Sequence, residues 1–208
     1  MIRRSQLIHI LRLALPLLIT MHLLPFSPAA ASDEPLSTPI GTQTIGLMTG
    51  PFFPLRVGAS QTSKLFGEAI MPSWMTTLTE PIGSGWYQGQ LALGAELVAF
   101  HTHSPMTAYG IGLTPKMAYT STAFGRVRPF IEGGGGPVWT DLGGRVPEQP
   151  GQFNFLGWGG VGCAYQMTAS WALTAGYRVM HISNAGTRSP NSGLNFSLPY
   201  LGLTYQLF

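Results

Sequence analysis

The chain has 208 residues, of which 9% are charged and 45% hydrophobic, with 27 glycines and a formal net charge of +3. Ordinary soluble domains carry about 25% charged residues, so this composition excludes a typical water-bathed globule. Arg3, Arg4 and Arg12 account for the positive excess, and without them bases and acids balance, which leaves no nucleic-acid footprint.

Residues 1–31 read as a secretory signal peptide. Basic residues precede an apolar run from Leu13 to Phe26, and Ala29, Ala30 and Ala31 supply a small-residue cleavage pattern. The mature domain is expected to cover 32–208. The leader's apolar run is short for a bilayer helix, which needs about 20 residues, and no run of that kind follows it. Cys163 stands alone, so no internal disulfide forms. An exported, apolar chain without helical spans has one way left to cross a membrane, a closed barrel whose strands satisfy one another's backbone groups.

Eight segments of strand character occur in order: 42–55, 69–80, 88–102, 107–120, 126–140, 152–168, 171–183 and 194–208. Each is long enough for a tilted strand of about 9 to 11 residues through the hydrocarbon. Alternation supports the assignment, because lipid-facing and lumen-facing side chains swap at every residue. In the third segment Leu91, Leu93, Ala95 and Leu97 share one face while Gln90, Gly94 and Glu96 take the other. In the seventh, Leu173, Ala175, Tyr177 and Val179 oppose Thr174, Gly176 and Arg178. Glu96, Lys116, Arg128, Glu132 and Arg178 then all point inward, where they can pair; a basic residue facing lipid at the midplane would cost about 2 to 4 kcal/mol. The expected fold is an all-β, eight-stranded antiparallel transmembrane β-barrel. Its long connections, 56–70, 141–151 and 184–193, lie at the outer end, with shorter turns facing the periplasm.

The seventh and eighth segments meet around HISNAGTRSPNSGLN, residues 181–195. His181 and Ser183 have the parity of the lipid-facing row, and a hairpin tipped near Arg188 brings Asn195 opposite His181. A serine, a histidine and an asparagine would thus meet on the outside of the wall near the outer lipid headgroups. Serine needs a base within hydrogen-bond reach to become a nucleophile, and the base needs a third group to fix its tautomer. The set suits hydrolysis of a membrane-lipid ester, but a polar rim whose Asn, Gly and Pro residues make a turn needs no such role, and from these residues alone the rim is the simpler reading.

The run GYRVMHISNAGTRSPNSGLN, with RPFIEGGGG and FNFLGWGGVGCAY before it, resembles the PagL family of outer-membrane lipid A 3-O-deacylases. The resemblance implies an integral outer-membrane barrel that removes the 3-O-acyl chain of lipid A in the outer leaflet, as a serine hydrolase with no metal or other cofactor. On that resemblance Ser183 is the nucleophile and His181 the base. Asn184 and Asn191 are associated with the oxyanion hole, and Gly186 is a loop glycine beside them. The acid that orients the histidine falls at position 195, where this chain has Asn195. A neutral amide can hold the ring but cannot stabilise imidazolium by charge. A barrel that kept the shape and lost the chemistry is therefore the alternative, and a phospholipase is a third reading.

His101 and His103, one residue apart at the outer end of the third segment, could place two metal ligands on one face. A site needs three or four, and the sequence offers no third, so they read as rim residues without metal.

Overall fold

The structure is a computed structural model that describes residues 37–56 and 61–207; the expected leader lies outside the described residues. Strands β1 (Gln43–Pro54), β2 (Phe66–Thr77), β3 (Gly89–Ser104), β4 (Ala108–Ser121), β5 (Val127–Thr140), β6 (Phe153–Gln166), β7 (Trp171–Ser183) and β8 (Leu194–Leu207) pair antiparallel in chain order. Pairing of β1 with β8, from Gln43↔Leu207 onward, closes the sheet, so no strand edge meets lipid.

Seven of the strands fall within two residues of their expected limits. β2 differs, starting at Phe66 and ending at Thr77 where 69–80 was expected. Glu68 has lipid-facing parity, which reads as a loop charge, yet it pairs with His101 across the ladder and its carboxylate meets the imidazoles of β3. At the other end Thr79 leaves the ladder: its hydroxyl accepts the Leu91 amide at 3.0 Å and its carbonyl accepts the Gln90 side chain at 2.9 Å. The following inner connection is the long one. It folds on itself through a 3-10 turn, Gly85–Tyr87, and a bridge between Ile82 and Gly89.

Four of the five inward-facing charges pair with one another, and Arg128 does not join them. Arg178 grips Glu96 through both terminal nitrogens, at 2.6 and 2.9 Å, and donates from Nε to Glu132 at 2.6 Å. Lys116 bridges the same two carboxylates at 3.3 and 2.8 Å, and the Tyr200 hydroxyl donates to Glu132 at 2.6 Å. Arg178 also stacks its guanidinium 3.8 Å from the centre of the Trp158 ring. Gly160 makes room for it, since a Cβ there would come within 2.8 Å of Arg178 Cγ. Arg128 stands apart and donates to Thr38 at 3.3 Å. Toward the outer end the interior turns apolar, filled by Phe52, Leu65, Phe100, Leu156, Ile182, Leu194 and Phe196. This is a plugged barrel, with its charges compensated in the middle.

The outer surface carries two belts of exposed aromatics, Trp74, Trp86, Tyr87 and Tyr165 toward the inner turns and Phe53, Phe66, Tyr109, Trp139, Phe153 and Phe155 toward the loops. Leu47, Leu93, Leu113, Ile131, Val161 and Leu201 lie exposed between them. An apolar band flanked by aromatic girdles is the exterior of a membrane barrel.

Removing one member of a buried ion cluster leaves the rest uncompensated. Arg178→Met should destabilise the folded barrel by about 3 to 5 kcal/mol. The check is the urea concentration at which the compact band is lost in detergent, and an unchanged midpoint would show that the cluster does not hold the barrel together.

Candidate active site on the lipid-facing wall

With Arg178 buried inside, every second residue of β7 must face out. His181 is exposed and Ser183 half-exposed, whereas the intervening Ile182 is buried in the core. The register pairs His181 with Asn195 and Ile182 with Leu194, so position 183 follows opposite 193. On the other side β6 places Gly157 beside His181 and Phe155 beside Ser183, at the height of the outer aromatic belt. The three residues read from the sequence thus occupy one patch of the outer wall.

His181 Nδ1 lies 2.8 Å from Asn195 Oδ1. An amide oxygen only accepts, so the Nδ1 atom carries the proton and Nε2 keeps its lone pair, the tautomer a general base requires. The Nε2 edge lies against Gly193, the position that follows opposite Ser183: a Cβ on Gly193 would come 3.1 Å from Nε2 and 2.5 Å from Cε1. Gly193 also has φ of +68°, a conformation that disfavours other residues. The Ser183 hydroxyl makes no hydrogen bond to His181 among the described residues. Nucleophile–base contacts of this kind commonly tighten only when substrate is bound.

The loop after Ser183 is held by Asn184, which is buried. Its amide nitrogen donates to the carbonyls of Arg188 and Pro190 at 3.0 and 3.1 Å, and its side-chain oxygen accepts from Gly186 N at 2.9 Å. The backbone amide of Asn184 donates to Asn191 Oδ1 at 3.2 Å. Every side-chain donor of Asn184 and the Gly186 amide are therefore engaged within the loop. Asn191 is exposed, uses its oxygen, and keeps its side-chain NH2 without a bond among the described residues.

Residues that the sequence reading passed over support the site from other loops. Gln61 accepts the Asn195 amide at 2.7 Å, and Leu55 donates to the Asn195 carbonyl at 2.9 Å, fixing the orienting residue from both sides. Gln149 donates to the carbonyl of Ile182, between the two candidate catalytic residues, at 3.1 Å. Next to it, Glu148 accepts the amides of Thr62 and Ser63 at 2.6 and 2.8 Å and the Ser63 hydroxyl at 2.6 Å. Burial alone would raise the Glu148 carboxyl, but those bonds outweigh it and hold the group below the ordinary value of 4.5. With a depressed folded value, its contribution to stability is complete above 4.5 and is lost only as pH falls through the folded value. No local pattern marks Gln61 or Glu148, because their partners lie 134 and 86 residues away in the chain.

Beside His181 the wall is bare. Gly133 pairs with Gly159 and Gly135 with Gly157, all four on outward positions, bounded by Pro137 and Phe155 above and by Ile131 and Val161 below. A Cβ on Gly157 would meet nothing within 4 Å. The result is a shallow trough, open to lipid and ending at the imidazole.

Together these features define an integral β-barrel membrane protein with hydrolase-type polar groups on its lipid-facing wall at headgroup height. The sequence profile of the family described as lipid A 3-O-deacylase (PagL) matches residues 57–204, most of the chain. The chain belongs to that family, and it is an outer-membrane β-barrel. Among solved structures, the outer membrane enzyme PagL is 20% identical, with a TM-score of 0.51 over 79% of this chain and 99% of that one. Neisserial surface protein A is 13% identical, with a TM-score of 0.57 over 80% of this chain and 97% of the other. These two likenesses concern the fold. No curated protein matches the chain by sequence.

Because a Cβ at Gly193 would come 2.5 Å from the imidazole Cε1, Gly193→Ala should displace His181 and reduce ester hydrolysis by at least about tenfold, within the range that one misplaced catalytic group costs. Rates on a lipid ester check this, alongside the gel mobility of the folded barrel. Full activity in the folded variant would show that the ring does not work in the position described.

Proposed function

We propose that this lipid A 3-O-deacylase family barrel acts as a serine esterase with Ser183, His181 and Asn195 as its catalytic set. Ser183 Oγ attacks the carbonyl carbon of the 3-O-acyl ester while its proton passes to His181 Nε2. The tetrahedral intermediate collapses, His181 returns the proton to the departing sugar oxygen, and the acyl chain is left on Ser183. Water, deprotonated by His181, then releases the fatty acid and regenerates the serine. The observation that carries this reading is the 2.8 Å contact from His181 Nδ1 to Asn195 Oδ1, which leaves Nε2, on the side of Gly193, as the nitrogen with the free lone pair.

The rest of the patch fits a substrate that stays in the bilayer. The side-chain-free trough at Gly133, Gly135, Gly157 and Gly159 lets an acyl chain lie against the wall with its ester near Ser183. We assign the oxyanion contact to the uncommitted NH2 of Asn191, and give Asn184 and Gly186 the task of shaping the loop that presents it. The partner is lipid A, or lipopolysaccharide, in the outer leaflet.

Asn195 favours a second reading, a barrel that has kept its shape with weak or lost activity, because the amide adds no charge to stabilise imidazolium. Expression in a Gram-negative host followed by mass spectrometry of lipid A separates the two. The esterase reading expects loss of one 3-O-linked acyl chain with the native protein and none with Ser183→Ala; an unchanged profile with correctly assembled protein supports the inactive barrel. The same lipid extract shows whether phospholipids are cleaved instead.

Asn195→Asp keeps the side-chain length and adds the missing charge. It should raise turnover by at least about tenfold, given that the reverse change costs about 10⁴-fold in a serine protease. A loss of activity would mean that the site is built around the amide.

A further inference from the structure

Three to four strands around the barrel from the serine, a second cluster of polar side chains faces outward at the same height. Glu68 on β2 pairs with His101 on β3, and His103 lies two residues further along the same face. His101 Nδ1 is 3.2 Å from Glu68 Oε1, and His103 Nε2 meets the other carboxylate oxygen. One ligand atom from each residue lies within 4.8 Å of the other two. The two imidazoles stand edge to face, 4.5 Å apart, and Tyr109 stacks on His101 at 4.6 Å with 15° between the planes. Glu68 thus supplies the third donor that the His-x-His spacing lacked.

We propose that Glu68, His101 and His103 bind one zinc-class divalent ion at the outer rim, with an open position for water or an anionic headgroup oxygen. Two imidazoles and one carboxylate are a donor set that zinc uses with three protein ligands and one exchangeable position. Metal–ligand distances of about 2.0 to 2.2 Å require donors about 3.3 Å apart; the His101–Glu68 pair already stands at 3.2 Å, and the widest separation in the cluster, at most 4.8 Å, needs to close by no more than about 1.5 Å. The strand geometry already does most of the positioning. Tyr109 holds one ring flat, and the alternation of β3 puts both histidines on one face. His101 Nε2 is buried and makes no hydrogen bond among the described residues, so this ring is engaged through Nδ1, toward the carboxylate. Imidazole donors select zinc and its transition-metal neighbours, whereas magnesium and calcium prefer all-oxygen shells. The ion would pin β2 to β3 outside the apolar core and far from the proposed serine chemistry, which does not require it.

The simpler arrangement is two imidazoles each donating a hydrogen bond to one carboxylate. Zinc titration distinguishes them. The tag-free barrel, purified from outer membranes in detergent and stripped with chelator, is titrated with zinc against a chromophoric competitor. One equivalent should bind at micromolar free zinc and survive millimolar magnesium. Separate His103→Ala and Glu68→Gln variants should each weaken it by more than about 100-fold, beyond what loss of an outer-shell partner costs. His181→Ala should bind normally, and cobalt substitution should give the visible absorption of a four-coordinate site. Both ligand changes are at solvent-accessible positions, and retention of the compact gel band in each variant excludes misfolding as the cause. No uptake, uptake unaffected by either ligand change, or uptake lost with His181 would each overturn the assignment.

Discussion

The burial of Arg178 sets the face of everything after it. A guanidinium bonded to Glu96 and Glu132 in the middle of the barrel cannot turn toward lipid, and strand geometry allows no gradual compromise: a shift of one residue exchanges the two faces entirely. Three positions further along β7, His181 must therefore face outward, and Ser183 with it. The ion cluster acts on the catalytic candidates without touching them. It fixes parity in the strand that carries them, while the β7–β8 ladder fixes which residue stands opposite.

That ladder explains how a neutral residue can serve next to the histidine. Asn195 reaches the imidazole because it is the direct cross-strand neighbour, and its backbone is anchored on both sides, by Gln61 through the amide and by Leu55 through the carbonyl. The amide oxygen imposes a tautomer through hydrogen bonding alone. What it lacks is the charge that an acid would contribute as imidazolium forms, so in the proposed mechanism Asn195 orients the ring without adding electrostatic stabilisation.

Much of this was legible in the sequence because a membrane barrel writes its structure in a two-residue period. The strands, the inward set of charges and the outward row ending at His181 and Ser183 all follow from alternation and turn residues, and the pairing of 181 with 195 follows from the loop length. The start of β2 was not legible, since Glu68 on a lipid-facing position makes sense only once His101 and His103 are beside it. The same blindness hid Gln61, Glu148 and the carboxylate beside the two histidines: each meets its partner through the folding of a loop or the register of a strand pair, and nothing local announces it. Asn184 and Asn191 look equivalent in the sequence. The loop separates them by committing the donors of one to its own carbonyls and leaving those of the other without a bond among the described residues.

In the proposed mechanism Ser183 is a nucleophile activated by the outward-facing His181. A long-chain alkyl fluorophosphonate presented in mixed micelles tests it at the reacting atom, with peptide mass spectrometry to locate the adduct. The native barrel should carry a single phosphonyl group on Ser183, and the His181→Ala barrel none. An unmodified Ser183, or modification that persists without the imidazole, would contradict it.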